Sequence, residues 1–127
     1  SDADQTLFGR IEKLMRSERP WADPDFDVGA LARALGTYPN AVSRALSRAG
    51  STSFYDYVNR HRVGEAERLL ADPRESRVKI EALGRQAGFR ARSTFFKLFR
   101  RHTGLSPAEY RASRMAPHAD PSSPPTH

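Results

Sequence analysis

The chain has 127 residues and a formal net charge of +6, because its 21 lysines and arginines outnumber its 15 aspartates and glutamates. It contains no cysteine, which excludes disulfide scaffolds, thiolate zinc sites and a cysteine nucleophile. It also has neither a signal peptide pattern at Ser1 nor an apolar run near the roughly 20 residues that span a bilayer. These features predict a soluble, intracellular protein with a single core.

The positive charge is concentrated in the body of the chain and is carried mostly by arginine. The first 27 residues hold a net charge of −3, whereas residues 28–116 hold +10. The guanidinium group makes planar, bidentate contacts with phosphates and with guanine edges, so this bias indicates an anionic partner. An equally good cause is a high-GC genome, in which arginine codons accumulate without a structural reason.

The chain begins with a pattern typical of an amphipathic helix, about Asp4 to Glu18. Its apolar residues recur with the helical period and form one stripe: Leu7, Phe8, Ile11, Leu14 and Met15. Pro20 and Pro24 then predict a linker, since proline disfavours helix in the residue before it. The acidic run at residues 23–27 lacks the glycine and the final glutamate of a calcium loop, so no metal is expected there. We therefore interpret residues 1–26 as an N-terminal helix and linker.

Two short helices joined by a glycine turn are predicted over residues 27–52. Asp27 is the expected N-cap of the first helix, and Gly36 ends it. Pro39 marks the first turn of the second helix, which is expected to run to about Ala49. This order is the outline of a helix-turn-helix.

A long helix is predicted in the middle of the chain, within residues 53–72. Ser53 is its expected N-cap, and Asp72-Pro73 is expected to end it. A helix from Phe54 to Ala71 would span roughly 27 Å at about 1.5 Å per residue.

The helix-turn-helix outline then repeats within residues 73–114. Gly88 follows Gly36 at a distance of 52 residues, and a helix from about Ala91 to His102 carries its apolar residues at helical spacing. One copy of a short helical unit followed by another is the simplest account of this pattern.

The end of the chain contains one more helix signal and then a polar tail. Ser106-Pro107-Ala108-Glu109 is a capping box, which predicts a last short helix through Tyr110. Residues 115–127 are rich in proline and have no apolar stripe, so we expect them to be disordered.

Several tracts resemble the AraC/XylS family of transcription regulators. The second repeat carries the family signature in Gly88-Phe89, Ser93, Phe95, Lys97, Phe99-Arg100-Arg101, Thr103-Gly104, Ser106-Pro107 and Tyr110-Arg111. The tract from Phe54 to Leu70 is similar to the family's central helix, and the resemblance covers residues 27–112. It implies an all-α fold in which two homeodomain-like helix-turn-helix subdomains are joined by a long central helix. It also implies sequence-specific binding of double-stranded DNA for transcription regulation, with two recognition helices in successive major grooves.

The sequence departs from the family pattern in its helix caps and in one helix. Tyr38, Lys79 and Arg90 stand where Ser, Thr or Asn usually caps a helix, and each missing cap is expected to cost about 0.5–2 kcal/mol. Gly84 replaces the usual alanine within a helix, at roughly 1 kcal/mol, and Gly50-Ser51 shifts the family's glycine by one position. These departures predict a domain of modest stability that DNA stabilises.

Two helix faces are predicted to contact DNA. The first comprises Asn40, Ser43, Arg44, Ser47 and Arg48, and the second comprises Arg92, Ser93, Phe96, Lys97 and Arg100. Matched to the family motif, Asn40, Ser43 and Arg44 are the expected base readers, since arginine pairs with guanine and asparagine with adenine. We expect Arg92 and Arg100 near bases, and we expect phosphate contacts from Arg48, Arg90 and Arg101. Without the repeat and the resemblance, a solvated polar face would be the simpler interpretation of the first of these faces.

Phe96 has two interpretations that the sequence leaves open. Phe95 and Phe99 already occupy the core positions, so Phe96 is expected to be an exposed aromatic residue on a basic face. It would then contact a thymine methyl group or a sugar edge in the groove. Alternatively, its ring covers part of a neighbouring helix.

No catalytic, cofactor-binding or metal-ligating pattern is present, so an enzyme is not expected. Some alkylation-repair proteins resemble this family, but they use an activated cysteine, which this sequence lacks. The main alternative to a regulator is a sequence-neutral, basic nucleic-acid-binding module or a binder of anionic membranes.

The resemblance implies partners besides DNA. Family members usually carry an effector-sensing or dimerisation domain upstream, and many recruit RNA polymerase. The chain itself is expected to be monomeric, because two recognition helices can read a repeated site without dimerisation. The family implies a bacterial, cytoplasmic, nucleoid-associated activator, although the sequence does not distinguish activation from repression. The lead-in from Glu18 to Pro24 is similar to that of members with an upstream sensor, some of them membrane-bound, which leaves a membrane anchor open.

Overall fold

The computed structural model describes residues 1–115, and this part of the chain consists of helices and turns. The helices are α1 (Asp2–Glu18), α2 (Val28–Ala34), α3 (Pro39–Gly50), α4 (Phe54–Ala71), α5 (Ile80–Gln86), α6 (Arg92–Thr103) and α7 (Pro107–Met115), with short 3₁₀ turns at Pro20–Ala22 and Pro73–Glu75. The expected all-α fold, with two helix-turn-helix units and a long central helix, is confirmed. The first unit comprises α2 and α3, and the second comprises α5 and α6. None of the helices in this part of the chain is both long and apolar enough to cross a membrane.

The first unit packs against α1 and the start of α4 around one hydrophobic core. Its buried members include Ile11, Met15, Leu31, Val42, Leu46 and Val58. Trp21 belongs to the same core, and its indole Nε1 donates a hydrogen bond to the carbonyl oxygen of Met15 at 3.0 Å. The segment that the prolines predict as a linker is thus anchored to the core by a buried tryptophan.

The second unit packs against α7 and the second half of α4 around a separate core, so the prediction of a single core is wrong. Its buried members include Val63, Leu70, Leu83, Phe95, Phe99 and Tyr110. Since α4 contributes buried residues to both cores, neither unit can rotate about this helix without exposing apolar side chains. The central helix is therefore a rigid connection between the two units.

The helix caps agree with the sequence at some helices and differ at one. Asp27 accepts a hydrogen bond from the amide of Ala30 at 2.8 Å, and Ser53 accepts one from the amide of Asp56 at 3.1 Å. Tyr38 and Lys79 cap α3 and α5 without a side-chain hydrogen bond, as expected. The assignment of Arg90 as the N-cap of α6 is wrong, because Ala91 holds the extended backbone of that position and offers no side-chain acceptor.

The ends of two helices also differ from the sequence-based expectation. The last helix continues beyond Tyr110 to Met115, and the rest of the expected disordered tail, residues 116–127, lies outside the described residues. Gly50 is still helical, and the left-handed conformation falls on Ser51, which has a φ of 52°. The ring of Phe8 lies so close to Gly50 that a Cβ there would be 2.9 Å from a ring carbon, which accounts for a glycine one residue before the turn.

The glycine inside α5 is explained by the second core. Gly84 is buried, and a Cβ at this position would overlap ring carbons of Phe95 on α6. Phe95 itself is 1 % exposed and belongs to the second core. Glycine at position 84 lowers the helix propensity of α5, but the absence of a side chain allows Phe95 to pack directly on the backbone of this helix.

Candidate DNA interface

The outer face of α3 carries the polar residues that the sequence places there. Asn40, Ser43, Arg44, Ser47 and Arg48 are all exposed, whereas Val42, Ala45 and Leu46 are buried in the first core. The spacing of the buried residues, one stripe with the helical period, leaves the polar residues on the opposite side.

Two arginines of this face share one carboxylate on α1. The Nε of Arg44 lies 3.9 Å, and the Nη1 of Arg48 lies 3.7 Å, from oxygens of Asp4. The Ser1 hydroxyl donates a hydrogen bond to Asp4 at 3.0 Å. This hydrogen bond, together with the charges of the N-terminal ammonium group, Arg48 and Arg44, holds the pKa of Asp4 below its ordinary value against the opposing effect of desolvation. Asp4 is thus a counter-ion for the first arginine cluster.

The outer face of α6 is also basic, but it is built differently. Arg92, Ser93, Lys97 and Arg100 are exposed, and so are Arg90 and Arg101 at its two ends. Phe96 is half-buried, because its ring packs against the second core and meets Phe95 edge-on at a centroid distance of 5.4 Å. The prediction of an exposed aromatic residue at Phe96 is therefore wrong, whereas a contact of this ring with DNA stays a prediction.

The guanidinium group of Arg92 is held between an acid and an aromatic ring. Its Nε donates a hydrogen bond to Glu81 of α5 at 3.2 Å, and its carbon lies 4.2 Å from the centre of the Phe96 ring. A hydrogen bond from the backbone amide of Glu81, and next the hydrogen bond from Arg92, lower the pKa of this carboxyl. The contacts restrain the position of an arginine that would otherwise have many rotamers.

Two more arginines of this surface, Arg100 and Arg90, also have acidic partners. Arg100 lies 3.5 Å from Glu109 of α7, and Arg90 forms an ion pair with Asp25. Sequence reasoning missed Asp4, Asp25, Glu81 and Glu109 as part of this surface. All four come from other helices or loops, so no local spacing could have pointed to them.

Comparisons with known proteins agree with this architecture. The profile of the family described as Helix-turn-helix domain matches residues 31–113. The Arabinose operon regulatory protein of Escherichia coli is 30 % identical, over 86 % of this chain and 42 % of its own length. The regulator YijO of the same organism, described as an uncharacterized HTH-type transcriptional regulator, is 30 % identical over 80 % of this chain and 36 % of its own length. The chain thus spans less than half the length of these relatives.

Solved structures show the same fold. An AraC-type DNA-binding regulator from Chromobacterium violaceum superposes with a TM-score of 0.75 at 21 % identity, over 93 % of this chain and 100 % of that one. The C-terminal domain of AraT, a response regulator from Geobacillus stearothermophilus, has a TM-score of 0.71 at 21 % identity, over 97 % and 94 % of the two chains. Together with the profile match, which covers most of the sequence, these findings show that the chain belongs to the AraC-type family of helix-turn-helix transcription regulators.

Proposed function

We propose that this chain binds double-stranded DNA in a sequence-specific manner and thereby regulates transcription, with α3 and α6 in successive major grooves. The observation that carries the proposal is the pair of exposed basic helices on two units that one rigid helix connects. The 18 residues of α4 span roughly 27 Å, which is compatible with recognition helices one turn of B-DNA, about 34 Å, apart.

The contacts of Arg92 support a directional contact with a base. Its guanidinium is restrained by Glu81 and by the ring of Phe96, and a restrained guanidinium suits a bidentate hydrogen bond. Acidic partners lie beside Arg48 and Arg90 as well, so the roles proposed below follow the positions of the residues on the two helix faces. Arg44, Arg92 and Arg100 are the proposed guanine readers, together with Asn40 and Ser43 on α3. Arg48, Arg90 and Arg101 are the proposed phosphate contacts. The remaining polar residues of the two faces, Ser47, Ser93 and Lys97, complete the proposed interface.

Selection of bound duplexes from a random pool tests the proposal directly. We expect two enriched sequence blocks about one helical turn apart. A sequence-neutral basic module, the alternative function, would bind without enriching any motif, and that result would overturn the proposal.

Single substitutions then assign the roles of individual arginines. Arg44→Ala and Arg92→Ala should each relax the preference at one block, at about 1–3 kcal/mol for the preferred base. Arg101→Ala should weaken binding to all sequences alike. It should also lower the salt slope, which is the change in log affinity with log salt concentration, by about one unit. Arg16→Ala, which removes an exposed charge from α1, is the matched control and should change neither property. Equal, sequence-blind losses from all three interface variants would remove the base-reading assignments.

The wider role follows from the family and is part of the proposal. An effector-sensing or dimerisation domain would precede α1 in a longer protein, RNA polymerase would be a further partner, and the chain itself would bind DNA as a monomer in the cytoplasm. Sedimentation of the chain with and without a selected duplex tests the monomer, since a dimer on one duplex would contradict it.

A further inference from the structure

A polar cleft separates the two units on one side of α4. Its volume is about 330 Å³, and its walls come from the turn after α3, from α4 and from the C-terminal end of α6. Three of its side chains can carry positive charge, namely Arg60, Arg101 and His102. Arg60 and His102 belong to neither of the helix faces described above, although both are exposed.

The cleft is continuous with the outer face of α3. A second hollow, of about 680 Å³, is lined by Ser43 and Ser47 of that face. The two hollows share Ser51, Thr52 and Asp56 in their walls. One groove thus runs from the first recognition helix, across the start of α4, to the end of the second recognition helix.

The charges in the cleft differ from those on the recognition helices. Arg44, Arg48, Arg90, Arg92 and Arg100 each lie within 4 Å of a carboxylate. By contrast, Arg60 and Arg101 form no ion pair within residues 1–115. Asp56 is the one acid in the wall of the cleft, so the two guanidinium groups leave an excess of positive charge even where His102 is neutral.

The wall of the cleft also offers hydrogen-bond donors. Asn59 is 4 % exposed as a residue and lines the cleft, and its side-chain amide can donate to a ligand that offers an acceptor. The hydroxyl of Ser51 in the same wall can act as a further donor. The hydroxyl of Thr52 already donates to the carbonyl oxygen of Ser53 at 3.3 Å.

We propose that this cleft holds a phosphate of the DNA backbone where the duplex passes between the two recognition helices. The inference rests on the proposed function, because it takes the duplex to contact α3 and α6 together. A phosphodiester needs positive charge and several hydrogen-bond donors, and it carries no base information. Arg60, Arg101 and the Asn59 amide supply these groups, and they lie on the groove that joins the two helix faces. The cleft therefore adds affinity and fixes the register of the two units without reading sequence.

The test compares a duplex that carries a selected two-block site with the same duplex in which methylphosphonates replace the phosphates between the blocks. The uncharged linkages should weaken binding of the unaltered protein roughly tenfold, the loss expected when a hydrogen bond to a charged group is removed. Arg60→Gln should weaken binding of the unmodified duplex by a similar factor and lower the salt slope by about one unit. On the methylphosphonate duplex, Arg60→Gln should bind as tightly as the unaltered protein.

Two further variants make the result specific. Arg60→Lys keeps the charge and should retain most of the salt slope, whereas Arg16→Gln removes a charge from α1, outside the cleft, and should bind both duplexes like the unaltered protein. Arg60 is exposed, so the thermal unfolding midpoint of Arg60→Gln should be unchanged. The cleft proposal would be overturned if the losses of affinity caused by Arg60→Gln and by the methylphosphonates multiply, as independent effects do. It would also be overturned if Arg60→Gln bound the unmodified duplex with unchanged affinity.

The failure of this inference is distinguishable from the failure of the proposed function. If Arg44→Ala relaxes the preference at one block of the selected site but Arg60→Gln does nothing, the cleft proposal fails and the proposed function stands. If no motif is selected, the proposed function fails. In that case the salt slope of Arg60→Gln on a mixed-sequence duplex of the same length still measures the phosphate contact, and an unchanged slope overturns it.

Discussion

The two helix-turn-helix units share a backbone plan but fill their cores with different side chains. The turn after α2 is closed by the amide of Thr37, which donates to the carbonyl of Ala32 at 2.9 Å. The equivalent turn after α5 is closed by Phe89, which donates to Gly84 at 3.0 Å. In the second unit Phe95 packs on Gly84, and the equivalent positions of the first unit hold Val42 and Ala32, both buried.

The units also differ in what covers them. In the first unit α1 packs against α3, and in the second α7 packs against α4 and α6. The segment after α1 reaches both units, because the carbonyl of Trp21 accepts a hydrogen bond from Arg62 of α4 at 2.7 Å and lies against Gly88. The comparison teaches that two units can share one helical plan and differ in their close contacts, and that the equivalent turn glycines, Gly36 and Gly88, have unequal constraints.

The largest expected effect separates those two equivalent glycines. Gly36 and Gly88 have φ values of +68° and +105°, but a Cβ at Gly36 would meet open space, whereas a Cβ at Gly88 would overlap the backbone carbonyl of Trp21. Gly36→Ala should cost about 1 kcal/mol, for backbone strain. Gly88→Ala should cost about 3–5 kcal/mol, since overlap adds to strain. Urea unfolding of both variants measures the difference, and equal losses would contradict the contact with Trp21.

A smaller effect is expected where the second unit packs its phenylalanine on α5. Gly84→Ala gains helix propensity but forces a methyl group into the Phe95 ring, so we expect a net loss of about 2 kcal/mol of unfolding free energy. Gly84→Ala combined with Phe95→Leu should recover part of it, because the smaller side chain leaves room for the methyl group. If Gly84→Ala stabilises the protein, helix propensity outweighs packing and the interpretation of this pair is wrong.

The helix N-caps provide a third comparison of the units, in which one substitution is expected to increase stability. Ala91 caps α6 without a side-chain acceptor, whereas Asp27 caps α2 with one. Ala91→Ser should stabilise the protein by about 1 kcal/mol, and Asp27→Ala should destabilise it by a similar amount. Thermal unfolding of the two variants checks this expectation. A loss of stability in Ala91→Ser would indicate that the serine side chain does not reach the free amides of α6.

The smallest expected effect concerns the link between the lead-in and α4. Burial tends to raise the pKa of Glu65, but the hydrogen bond from Arg68 and the charge of Arg19 outweigh burial and lower it. A lowered pKa in the folded state means that this contribution to stability is complete above the ordinary glutamate pKa of about 4.3 and is lost as the pH falls through the folded value. Chemical unfolding at a series of pH values should show the stability difference between the unaltered protein and Glu65→Gln shrinking below about pH 4.3. A difference that is constant across this range would show that the ion pairs do not contribute.

The sequence was sufficient for features that depend on local chemistry. The period of apolar residues predicted α4 from Phe54 to Ala71, with Ser53 as its cap, and the structure has both. The exposed face of α3 followed from the buried stripe of Val42, Ala45 and Leu46. The end of α7 was missed: the capping box marks where this helix starts, and the next helix-ending signal in the sequence is Pro117, close to the observed end at Met115.

The sequence by itself determined the helices, the repeat and the family, because hydrophobic period, caps and signature residues are all readable within a few turns of chain. Only the tertiary structure decided which acid meets which arginine, since Asp4 and Arg44 are far apart in the sequence and meet through the packing of α1 on α3. It likewise decided that Phe96 is half-buried and that Gly84 makes room for Phe95. These contacts depend on how whole helices pack, and a pattern of residues along one helix does not contain that information.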